Sequence, residues 1–139
     1  MSNIVFPRMS VLQSLSDLTA EITDNRFITS RPSASGVQMS EFLIISLNNI
    51  NNVADTYQLT RGRITVFVKD ISHGLENTAR LEQLQEAVTA LFPIRTPLFI
   101  ATQPILLPGG SDGAGFHSLI IQFNIRIHKD FDVHENLTL

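Results

Sequence analysis

The stretch LLPGGSDGAGFHSL, Leu106 to Leu119, gathers a serine, an aspartate, a histidine and four of the chain's seven glycines. Such residues can build a nucleophile with its base, cradle a phosphate or hold a cation, and spacing decides which. A phosphate loop of the GxxxxGK[ST] type needs a lysine to reach the phosphates and a hydroxyl to hold magnesium. GGSDGAGFHS has neither the lysine nor the spacing. The dinucleotide fingerprint GxGxxG opens a helix, whereas Gly113 and Gly115 are followed by Ser118 and a strand-like run. Asp112 is the only acid in a segment where a calcium loop needs several, and no GxSxG elbow surrounds Ser111. A hairpin tip is what remains, with glycine supplying positive φ without a Cβ clash. The segment is expected to do no chemistry.

The four histidines, His73, His117, His128 and His134, form no HxH or HExxH pair, so no local metal site is legible. His128 falls on the polar face of a strand and His117 beside the glycine tip, as an exposed or half-buried side chain. They would be the acid–base candidates were the chain an enzyme. No catalytic residue, metal ligand or cofactor is expected. Arg61 and Arg63, with Lys69 beyond them, line one strand face, and Arg126 lies on the polar face of another. These residues read as a solvated sheet face, or as a basic strip against an acidic partner subunit or DNA in a channel. With no Trp and one tyrosine, Tyr57, the stacking aromatics of nucleic-acid modules are missing. Sequence-specific binding is not expected.

The elements that must position these residues follow from periodicity. Met9, Val11, Leu12, Leu15, Leu18 and Ile22 make a helical stripe over about 8–23, opened by Pro7 or by a Ser10–Gln13 capping box. SRPSASGVQMS, 30–40, reads as a mobile loop. FLIISL, Phe42 to Leu47, reads as a strand buried on both faces, and NNINNVADT as a turn or exposed excursion. From Gln58 to Asp70 alternation returns, with Phe67 an apolar exception on the polar face. Asn77 caps a second helix to Phe92, with Leu81, Leu84, Val88, Leu91 and Phe92 inward and Arg80, Glu82, Gln83 and Glu86 in water. Pro104 makes the strand Pro97–Leu107 an edge or bulged one. Phe116 to Lys129 alternates most clearly, with Leu119, Ile121, Phe123, Ile125 and Ile127 on one face and Ile120 among the polar residues of the other.

The whole reads as one α+β domain over 1–139: an antiparallel sheet of about four to five strands with two helices packed on one face. The sheet and helix core spans about 41–129, with a polar tail at 130–139. At 139 residues the chain can bury a core without staples. A net charge of −3 offers no global attraction to nucleic acid. The absence of cysteine excludes disulfides and thiolate chemistry. The N-terminal stretch lacks the pattern of a signal peptide and no apolar run reaches membrane-spanning length, so no membrane partner is expected.

The order of elements carries a resemblance. A long strand ending in ITVFVKD leads through ISHGLENTA into the helix RLEQLQEAVTALF, and a strand pair around a glycine-rich tip follows. Over roughly Ser40 to Lys129 this resembles the small tail terminator (tail-completion or tail-to-head joining) proteins of long-tailed bacteriophages. The resemblance implies a virion structural protein without catalytic residues, made in the host cytoplasm. It would form a homo-oligomeric ring, usually a hexamer, that caps the tail tube. Its partners would be tail-tube and neck or head-completion proteins, with DNA passing through the channel. Strand edges, hairpin tips and the N-terminal segment would meet neighbouring subunits. Interface candidates are therefore Gly109, Gly110, Ser111, Asp112 and Gly113 at the tip, with Arg61, Arg63 and Arg126 on the sheet. The alternative is a small-molecule or peptide-binding α+β module of cellular origin, using a concave sheet face lined by Phe67, Ile120, Gln122 and Arg126.

Overall fold

The computed structural model describes residues 8–29, 39–54, 57–72 and 74–127, with 48–54 and 57–59 as backbone alone. Most of the expected loop 30–40 lies outside the described residues, as do the tail 130–139, His73, His128 and His134 and the side chain of Tyr57. The elements are α1 (Arg8–Leu18), β1 (Arg26–Ile28), β2 (Glu41–Ala54), β3 (Tyr57–Lys69), α2 (Thr78–Thr89), β4 (Ile94–Arg95), β5 (Phe99–Ser111) and β6 (Phe116–Ile127).

These elements correct the expected fold. The strands form one six-stranded sheet in the order β1-β2-β3-β6-β5-β4, curled into a half-barrel. It is mixed, because β1 runs parallel to β2 with Arg26 opposite Leu43. The two strands that sequence reading missed are three and two residues long, too short to carry a period. Position, not pattern, makes β1 a strand: Asn25 accepts from the Leu43 N–H at 2.8 Å, its side-chain amide donates to Glu41 O at 3.0 Å, and Thr29 N–H donates to Ile45 O at 2.8 Å. Curling follows from interruptions of the ladder. The register shifts between Thr102 and Ile105, where Gln103 takes φ 59, and again between Pro108 and Gly110. Such bulges increase local twist and bend the strand.

The Asn-rich segment after Leu47 is a further correction. It is not a turn but the outer half of β2, paired with β3 as far as Ala54↔Tyr57. Asparagine disfavours strands only weakly when a partner strand takes up its backbone groups.

The core lies where α1 and α2 meet the sheet. Val11, Leu12 and Leu15 of α1 and Leu81, Leu84 and Val88 of α2 are buried in one cluster with Leu43, Ile45, Ile64, Val66, Ile121 and Phe123. Each such side chain contributes about 1.5–3 kcal/mol on burial. Asn77 caps α2 through its side-chain oxygen, which accepts from Arg80 N–H at 3.3 Å. The helical stripe of α1 is narrower than its sequence suggests, for Met9 and Leu18 are exposed. Ser10 sits within the first turn and does not cap it, and Gln13 donates to Asp17. Arg80 does not simply face water. Its Nε and Nη2 both reach the Glu41 carboxylate at 2.8 Å, fastening α2 to the start of β2. That hydrogen bond raises the guanidinium pKa above its ordinary value, against the opposing effect of burial.

Candidate functional site

The glycine tip is a short hairpin end. β5 and β6 stay paired to Ser111↔His117, so only 112–115 make the loop. The tip is organised from within. The Asp112 carboxylate accepts from the N–H of Ala114 at 2.7 Å and of Phe116 at 3.1 Å, while Asp112 N–H donates to Phe116 O at 3.0 Å. The Ser111 hydroxyl accepts from Gly113 N–H at 3.2 Å. Gly110, Gly113 and Gly115 hold φ values of 72, 76 and 95°, which side chains with a Cβ rarely adopt. Gly109 answers a different need. A Cβ there would run into the Ser118 hydroxyl across the hairpin, at the bulge.

Behind the tip, His117 Nδ1 lies 2.6 Å from the Asp70 carboxylate, with the two side chains 15% and 6% exposed. Asp70 N–H also donates to Gly115 O at 2.8 Å. The end of β3 is thereby clamped to the hairpin. Between the tip and the link after β3 opens a cleft of about 590 Å³, lined by Lys69, Asp70, Ile71, Ser72, Ser111 and Gly74, Gly113 and Gly115. Ser111, His117 and Asp70 supply the residue types of a hydrolytic triad. Ser111 Oγ is engaged by the Gly113 N–H, however, and His117 stands outside the cleft lining. The carboxylate–imidazole contact acts here as a tie between two segments.

The second group of candidates lies on the face of the sheet away from the helices. Arg61 pairs with Asn124 and Arg63 with Gln122, and Arg126 follows two residues along β6. All of them project to the same side, because alternate residues of a strand share a face. Arg63 Nε donates to Gln122 Oε1 at 3.2 Å. Phe67, Ile120 and Gln122, named for a ligand-binding face, are on this side too, but Phe67 belongs to an aromatic cluster. Its ring stacks on Phe42 at 4.6 Å and 11°, and Phe42 meets Phe116 and Phe27 edge-on at 5.4 and 6.0 Å. Phe42 is only 2% exposed.

The candidate residues therefore fall into two groups. The tip is level with His117 and Arg61 with Asn124, a separation of about 24 Å along β6 at the usual rise per residue. Sequence reading missed the Phe27–Phe42–Phe67–Phe116 cluster, the Asp70–His117 tie and the Glu41–Arg80 link. Phe67 breaking its alternation was the one signal of the first, and the other two depend on register, which the sequence does not state. No family model matches the sequence, and no curated protein matches it.

Proposed function

We propose that this chain is a ring-forming structural subunit of a virion, a tail terminator or a related neck or tail component that joins the tail tube to the head. One observation carries the proposal. Two long hairpins, β2–β3 and β5–β6, lie side by side and build a broad sheet, and both helices pack on one side of it. Beyond the Phe42–Phe116 cluster, the other side presents partly exposed strand residues, a surface suited to meeting another protein. The order of elements resembles that of the tail terminator proteins. Ile71 and Leu75, 66% and 55% exposed beside the tip, add apolar surface where a neighbour would gain by covering it.

In this reading neighbouring copies meet through two different patches of the same subunit, and the ring closes when the rotation between them divides a full turn. Tail-tube and neck proteins would stack above and below, with DNA passing through the lumen. Light scattering after size exclusion, over a wide concentration range, tests it. A discrete closed oligomer, visible as rings by negative-stain electron microscopy, is expected. A monomer at every concentration, whose thermal midpoint rises with an added small ligand, would replace this reading with that of a binding module.

A further inference from the structure

The exposed charges of the described residues are largely sorted by side. On the helix-free face β3 projects Arg61, Arg63 and Lys69, and no strand projects a described carboxylate there; Asp112, at the tip, is bonded to the Ala114 and Phe116 N–H groups. On the helix side the exposed charges run mostly the other way, Arg8 at the start of α1 being the exception. Glu82 and Glu86 stand one turn apart on the outward face of α2, and Asp17, Glu21 and Asp24 are exposed on α1 and the turn after it. Arg80 adds no free charge there, being held by Glu41, and Arg26 is turned inward onto Thr23 O and Ser16 Oγ. Like charges at i and i+4 weaken a helix slightly. An uncompensated Glu82–Glu86 pair is thus a small internal cost that an external cation would remove.

We infer that the partner of the helix-free face is a second copy of this chain, docked head to tail: the basic sheet face of one subunit on the acidic α1–α2 side of the next. This deepens the ring reading and rests on it. Opposite potentials on opposite sides of one molecule favour heterologous contact between copies. They disfavour face-to-face pairing, which would bring Arg61 against Arg61. Duplex DNA is the other polyanion such a face would attract, but the chain's net charge of −3 opposes its approach. The acidic complement is already present on every copy.

A charge-swap experiment on the full chain tests the pairing. R61E/K69E makes the sheet face acidic, and E82K/E86K makes the helix side basic. Each variant alone is expected to run as a monomer in light scattering at concentrations where the parent is oligomeric. Mixed one to one they should reassemble, and the quadruple variant should assemble by itself. All four positions are exposed, and circular dichroism with urea melts checks that each variant is folded. If the parent is oligomeric and both double variants assemble as it does, the face assignment is overturned while the ring reading stands. If the parent is monomeric throughout, the ring reading fails and takes the docking with it. If R61E/K69E loses only a mobility shift on duplex DNA and keeps its oligomer, nucleic acid is the occupant and the inference is overturned.

Discussion

Ile120 and Ile121 are neighbours in β6 and point to opposite sides of the same sheet. Ile121 is sealed between sheet and helices together with Ile64 and Ile125, all without measurable exposure, whereas Ile120 shares its side with Thr65, Gln122 and Arg126 and is only partly covered. One side of the sheet therefore holds the chain folded. The other carries partly exposed polar and charged side chains over much of its length. The contrast is not uniform along the strands. Near the glycine tip the helix-free side carries its own small core, built on Phe42 and Phe116, and at the far end it carries arginines. The sheet is two-sided at one end and one-sided at the other.

The largest effect should come from placing a charge on the sealed side. Ile121→Asp buries an unpaired carboxylate and is expected to leave the chain unfolded, with loss of the far-ultraviolet strand signal and of a cooperative urea transition. Phe42→Ala, on the nominally open side, should still cost about 3–5 kcal/mol in urea unfolding. A cost below about 1 kcal/mol would mean that the aromatic cluster adds nothing and that the helix-free side is surface throughout. Breaking the tie behind the tip with Asp70→Asn should cost about 1–3 kcal/mol. A double-mutant cycle with His117→Gln should recover most of that loss as coupling between the two residues. Gly109→Ala drives a methyl into the Ser118 hydroxyl and against its backbone carbonyl and should cost about 1–3 kcal/mol, part of it restored by adding Ser118→Gly, which removes the side-chain clash alone. At the small end, Arg61→Ala should change stability by less than about 0.5 kcal/mol. A larger loss would show that the basic face contributes to folding.

Strong patterns were legible from the sequence. The second helix and its Asn77 cap, the alternation of β6 and the turn chemistry of GGSDGAG all rest on local rules, and local rules can be read along a chain. Pro104 likewise marked the bulge, although Gln103 is the residue that takes the unusual φ. What stayed hidden depends on partners distant in sequence. RFI becomes a strand only because Leu43 and Ile45 lie alongside it. NNINNVA looks like a turn until β3 pairs with it, and Phe42 and Phe116 cannot be joined before the register through β3 is known. For the candidate site, residue types could be named but not grouped. The tip and the arginines were each named as interface candidates, and only the register shows that Arg61 lies about 24 Å from the tip along β6.

Strand β5 has a consequence for behaviour in a crowded solution. Beyond Ala101 its outer side meets no described strand, and from Ile100 to Ser111 it carries no charge, while Ile105 and Leu106 are 55% and 44% exposed. An uncharged apolar edge of this kind is a template on which further chains can pair backbone to backbone without limit. Pro104 and Pro108 remove two N–H groups from that template, and the distortions at Gln103 and Gly109 break its regular spacing. The edge is protected by shape and by missing donors instead of by lysine. Backbone-to-backbone addition of further chains is thereby disfavoured along this strand.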